Sequence, residues 1–348
     1  MICRGTPVQW RIVTLKRIAF LLVLAVILVL AGEAALRWSA PADHHVVLEH
    51  AAPLRSLAYS PDGKWLAWGG WDGTVAACDP RPGRTRQPII LANRGQAPRK
   101  LAVFPDSSTV IAGFEDGRVQ AWDVTSGAQR LDHSPGFHCA RRLVVSPNAQ
   151  MLALASGTEE ENTIILMDVR SGAIVTTLGN HSTGITDLVL ASDGRTLASS
   201  DREGVVKLWD LRERKRLATL RMSSGRECAI TALAFAHRSL MLAVSFDGRP
   251  TKLCEAAGRG QSLEIGPANR LTLDVAFSRD DRSVLTAEAD GTIACWDRAT
   301  GALKSVVREH RGAVLAIEFA PDGRQLASIG NDQTLRLWEF DPSRQLLR

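Results

Sequence analysis

The sequence predicts an all-β fold made of seven copies of one unit, preceded by a single apolar helix. Three observations predict it. A turn motif of the form Pro-Asp-Gly recurs with a period near 43 residues. Each recurrence is followed by a short apolar run and then by a segment alternating with period two, as in VVKLW (205–209) and TLRLW (334–338); this is the spacing of a half-buried strand. Helical periodicity is absent beyond residue 40, and regular, closely spaced turn signals mark an all-β chain.

The chain begins outside this pattern. Residues 1–37 hold five basic groups and one acid, Glu33, so the +5 formal charge sits mostly in this tail and the rest carries about +1. A nearly neutral body offers no broad field for nucleic acid phosphates, and no nucleic acid partner is expected. After the basic segment 1–17 comes Ile18–Gly32, an uninterrupted apolar run. As a helix it spans roughly 22 Å at ~1.5 Å per residue, short of a ~30 Å hydrocarbon core. Two readings compete. One is a cleaved signal peptide, with small residues at Gly32/Ala34 or Ala40/Ala42 as the cleavage site. The other is a transmembrane signal anchor over 18–36, with Lys16 and Arg17 reaching the interface. The anchor is favoured because the run can extend past Glu33 if that residue lies at the interface. The positive-inside rule then places the N-terminus in the cytoplasm and the repeats across the membrane. Residues 37–45 read as a linker, 46–343 as the repeats and 344–348 as a tail. The six cysteines show no disulfide framework: Cys78, Cys254 and Cys295 fall in strand-like stretches, and the five in the body cannot all pair.

The repeat is read from its anchors at Asp62, Asp106, Asn148, Asp193, Arg238, Asp280 and Asp322, spaced 42 to 45 residues apart. Pro-Asp-Gly suits a tight turn, since Pro presets φ and Gly tolerates positive φ. Asp-Gly at 72–73, 116–117 and 290–291 suits a two-residue hairpin. Trp122-Asp123, Trp209-Asp210 and Trp296-Asp297, with Trp338-Glu339 as a variant, close four of the copies.

These residues resemble the WD-repeat β-propeller family. The resemblance covers roughly residues 46–343 and implies seven four-stranded blades around a channel. The His–Ser/Thr–Asp–Trp hydrogen-bond set of that family is complete as His310, Ser328, Asp332 and Trp338. It nearly recurs as His181, Ser199, Glu203 and Trp209, with Glu for Asp. Cys78, Met167 and Cys254 occupy Trp positions, so those blades are expected to rely on apolar packing.

The last copy supplies only three strands. VVREH (306–310) should be the outer strand of the sixth blade, and VVLEH (46–50) matches it down to the His. Val46–Leu48 is therefore expected to close the last blade, removing a bare edge. The competing segment is Gln345–Arg348. The linker then reaches at most about 30 Å at ~3.3 Å per residue, which would hold a retained anchor's propeller close to the bilayer.

Catalytic motifs are missing: there is no phosphate loop, GxSxG, HExxH or Cys-x-x-Cys. No enzyme, cofactor or metal is expected. His133, His138 and Cys139 offer three ligands in no standard zinc spacing. His138 reads more simply as a displaced copy of the recurring His. Glu159–Glu161 reads as a solvated loop rather than a cation site. Trp65 and Trp68 read as packing residues. By the resemblance, the top binding face comprises exposed residues of each first strand and the residue before each hairpin acid. Those are Arg55, Arg99 and Arg141, and then Trp71, Glu115, Arg202 and Asn331. The arginines would form a basic arc suited to an acidic peptide or carboxylate, and Trp71 is a candidate hot spot. The expected function is a membrane-tethered, non-catalytic scaffold for protein partners. The alternatives are a secreted or periplasmic propeller binding a small ligand or glycan, and a propeller hydrolase.

Overall fold

The computed structural model describes residues 36–39, 46–81, 87–93, 95–136, 140–156, 162–222, 228–256, 262–341 and 345–346. The chain separates into two compact units, Met1–Arg37 and Trp38–Arg348. The expected helix over 18–36 lies outside the described residues except at its last position. There a strand, Leu36–Ser39, takes the place of the helix end and the start of the linker. Among the described residues no helix is long and apolar enough to cross a membrane.

The second unit is a seven-bladed propeller. The first blade comprises Leu54–Tyr59, Leu66–Gly70, Thr74–Cys78 and Ile89–Asn93, joined in antiparallel order from the inside outward. The next five repeat this plan, beginning at Pro98, Arg142, Ile185, Ile230 and Thr272. The seventh takes three strands from Val314–Phe319, Gln325–Gly330 and Thr334–Asp341. Its fourth is Val46–His50, which pairs antiparallel with the last of these, Val46 opposite Leu337 and Leu48 opposite Leu335. The N-terminal segment thus closes the ring. Gln345–Leu346 pairs with Asp341 and Phe340, beyond that register. One detail differs from the sequence reading. The outer strand of the sixth blade is Leu303–Val307, ending before His310, whereas its counterpart runs on to His50.

Strand alternation explains the core. Inward-facing residues of one sheet pack on the next, so the apolar clusters lie between neighbouring blades. Val110 and Phe114 of the second blade meet Ala77 and Leu91 of the first, and Leu326 and Trp338 of the seventh meet Leu285 and Cys295 of the sixth. In the first blade the large and small residues trade strands. Trp68, fully buried, occupies the second-strand position held by Ser328 in the seventh, and Cys78 occupies that of Trp338. Both arrangements fill the same space with one indole.

The first strands carry a shared irregularity. In six of the seven blades, one extra residue interrupts the pairing of the first strand with the second: Arg55, Arg99, Thr186, Thr231, Leu273 and Leu315. A bulge bends the strand and re-aims the unpaired side chain. Here each bulge lies where its strand enters the channel.

Candidate functional site

The bulged residues meet at one mouth of the channel. A cavity of about 550 Å³ there is lined by side chains from all seven blades. Each blade contributes the residue two positions before a buried aliphatic of its first strand. Around the ring these are Arg55, Arg99, Arg141, Thr186, Thr231, Leu273 and Leu315. The order sorts the mouth into a basic arc, a hydroxyl arc and an aliphatic arc. Trp71, Arg202 and Asn331, each at or next to a hairpin turn, complete the rim.

Of the sequence candidates, Arg55, Trp71, Arg99, Arg141, Arg202 and Asn331 all line this cavity. Glu115 does not; it is ion-paired with Arg99. Arg142, outside the sequence candidates, also lines the cavity. Its Nε lies 3.2 Å from Asp187 Oδ1, and its Nη1 donates to the Arg141 carbonyl at 3.0 Å. The signal was available as the Arg141-Arg142 doublet at the start of a strand. Trp71 is half exposed (49 %), and the Arg55 guanidinium stacks 4.3 Å from its ring centroid, a cation–π contact that fixes both groups at the rim. Arg55 Nη1 and Arg141 Nε are shielded from solvent and have no hydrogen-bond acceptor among the described residues. Neither arginine has a carboxylate partner among the described residues.

Beneath the mouth the channel narrows to a polar throat of about 110 Å³ containing Lys100, Asp187, Asp274 and Glu318. Its acids join neighbouring blades. Asp187 Oδ2 accepts from Leu233 N at 2.8 Å and Asp274 Oδ2 from Ile317 N at 2.9 Å. Glu318 Oε1 accepts from Tyr59 N at 3.2 Å, across the junction of the seventh and first blades. Desolvation raises Asp274 to about 6 and Glu318 to about 7, only partly offset by the Lys100 charge. These groups serve packing and closure. Toward the far end of the channel the aromatic side chains of Tyr59, Phe235, Phe277 and Phe319 join His237 and the throat acids Asp274 and Glu318.

The scaffold histidines His181 and His310 do not line the mouth. His310 Nδ1 donates to Asp332 at 2.9 Å, which leaves Nε2 to accept from the Ser328 hydroxyl at 2.7 Å. Ser328 Oγ in turn accepts from Trp338 Nε1 at 2.9 Å. Burial lowers the His310 pKa although Asp332 opposes the shift. In the fourth blade His181, Ser199 and Trp209 repeat these bonds at 2.6 and 2.8 Å, but the carboxylate is Asp201, at 2.8 Å, and not Glu203. Asp201 ends its strand fully buried and also accepts from the backbone N–H of Glu203 and Val205. It therefore caps the hairpin and anchors the imidazole at once, and Glu203 is left outside the set. His138, Cys139 and Glu159–Glu161 lie outside the described residues. Among the described residues no three His, Cys, Asp or Glu side chains are grouped to hold a metal.

A family model described as the nucleolar protein 10-like N-terminal domain, a β-propeller, matches residues 25–278. The WD domain, G-beta repeat, matches 266–297 and 301–339. Autophagy-related protein 16 of Arabidopsis thaliana is 24 % identical over 300 residues, which is 83 % of this chain and 56 % of that protein. Transducin beta-like protein 3 of Bos taurus is 25 % identical over 303 residues, 71 % of this chain and 37 % of that protein. The cell division cycle 20.1 protein of Arabidopsis thaliana, a cofactor of the APC complex, is 25 % identical over 275 residues, 77 % and 59 % of the two chains. The chain thus spans between a third and two thirds of the length of these relatives.

Proposed function

The chain belongs to the WD-repeat β-propellers, of the kind described by the nucleolar protein 10-like N-terminal domain, and on that premise we propose that it is a non-catalytic platform whose channel mouth holds a protein partner. The observation that carries this reading is the preformed cavity of about 550 Å³, lined by all seven blades and rimmed by the half-exposed Trp71. A rigid ring orders these side chains in advance, so docking loses little conformational entropy. The similarity to a protein named as a cofactor of a complex is in keeping with such a role. The acids and histidines at repeat positions are engaged in scaffold hydrogen bonds, which supports a non-catalytic reading. Crosslinking in cells followed by capture tests it. Partners recovered with the wild type should be lost with Trp71→Asp and with Asn331→Arg. Partners indifferent to both would defeat the proposal.

We further propose that the platform is tethered to a membrane through residues 18–36, with the propeller extracytoplasmic. The support is the apolar run Ile18–Gly32 behind a basic segment and the short spacer before the closing strand. The N-terminal sequence of the mature protein decides between the two processing routes. An intact start fits a tether, whereas a start near Ala35 or Asp43 means release.

A further inference from the structure

The mouth is sorted by chemistry, and sorting gives a ligand a direction. Three arginines stand on consecutive blades, two threonines follow, and two leucines complete the circle. Among the described residues no acid lines the cavity; behind it Glu115 pairs with Arg99 and Asp187 with Arg142. Among the described residues Arg55 and Arg141 have no such counter-charge, and each has one guanidinium nitrogen shielded from solvent without an acceptor. A charged donor left in that state is costly. An incoming oxyanion finds cations that are already partly desolvated and a planar fork suited to two-point pairing.

We propose that the mouth reads a peptide segment in which an oxyanion stands a few residues from an apolar side chain. The oxyanion enters between Arg55 and Arg141, and the apolar side chain packs on Leu273 and Leu315. The inference rests on the platform reading and specifies its partner. The oxyanion's source is a side-chain carboxylate, a chain-terminal carboxylate or a phosphorylated side chain. All three present the same chemistry to the arginines.

The test uses the full chain. A displayed library of random nonapeptides is panned against the immobilised protein, and selected peptides are titrated by fluorescence anisotropy. The proposal expects selected sequences to combine an acid with a nearby Leu, Ile, Met or Phe. Replacing the acid by its amide should weaken binding roughly 10- to 100-fold, the usual range for a charge-assisted contact. The R55Q/R141Q double variant should lose a similar factor and should no longer distinguish acid from amide. Peptides ending in a free or an amidated carboxyl, and peptides carrying phosphoserine in place of the acid, identify the source. Thermal melting of the variant shows that it is folded. Selected sequences without acids, acid-bearing ones that bind the double variant unchanged, or no selection at all would overturn the proposal. Acid-free peptides that are lost with Leu315→Ser would overturn the oxyanion while leaving the platform reading in place. Peptides indifferent to both sets of variants would remove both.

Discussion

Asp201 and Glu203 differ by one methylene and two positions, yet only Asp201 can satisfy His181. The sequence suggested Glu203 because in the last blade the acid follows its serine by four residues. In the fourth blade an acid two residues after the serine already reaches the imidazole from the strand end. Spacing alone did not reveal this, because Asp201 also looks like an ordinary turn residue. Asp201→Ala leaves His181 Nδ1 and two hairpin N–H groups without their acceptor. It should cost about 2–4 kcal/mol, read from urea midpoints, whereas Glu203→Ala should stay within about 0.5 kcal/mol. A second contrast concerns the Gly position of the Pro-Asp-Gly turn. Ala149 and Asp281 occupy it with φ of 56° and 59°, a left-handed conformation that costs a side chain about 1–2 kcal/mol. Ala149→Gly should therefore raise stability by about 0.5–1 kcal/mol after the entropy of the unfolded glycine is counted. Asp281→Gly should lower it, because that carboxylate accepts the N–H groups of His237 and Arg238 at 2.8 Å. Equal responses at the two positions would mean that the backbone term outweighs the bonds.

At the scale of the element, two kinds of strand decide the molecule: the bulged first strands and the closing one. The bulges were not legible, because an extra residue changes neither the composition nor the apolar character of LRSLAY or PRKLAV. The arginines they carry could be placed only by resemblance. The closing strand was legible, since VVLEH repeats VVREH. The register was not, because a shared His does not fix which backbone groups pair. Val46–His50 covers the edge of Thr334–Asp341 and buries Leu48 completely. Deleting residues 1–50 should bare that edge. The truncated chain should unfold at lower urea concentration and self-associate on size-exclusion chromatography, since an uncovered strand pairs with other chains. Deleting only 1–45 keeps the strand and should leave a monodisperse propeller. If the two truncations behaved alike, the seal would lie elsewhere, with Gln345–Leu346 the first place to look.

At the scale of the whole molecule, ring closure is coupled to protons in the throat. The carboxyl of Glu318, raised from 4.5 to about 7, accepts a bond across the junction of the seventh and first blades. Asp274, raised from 3.8 to about 6, does so between the sixth and seventh. A carboxyl with a raised pKa holds its proton more tightly in the folded state. Its contribution is therefore fully present below the unfolded value and is lost as pH rises through the folded value. For Glu318 the window runs from about 4.5 to about 7. His237 and His310 act in the opposite sense, since burial holds both below the ordinary imidazole value and their charging at low pH opposes folding. The total pH profile therefore mixes two slopes, and the difference between wild type and Glu318→Gln isolates one. The amide keeps an acceptor for Tyr59 N but cannot ionise. Relative to wild type, the variant should gain stability steadily from pH 4.5 to 7, by roughly 1–2 kcal/mol after screening by channel water is allowed for, and then level off. A difference that stayed flat would mean that Glu318 ionises as freely in the throat as in the unfolded chain. One that fell with pH would mean that Lys100 stabilises the carboxylate more than burial opposes it.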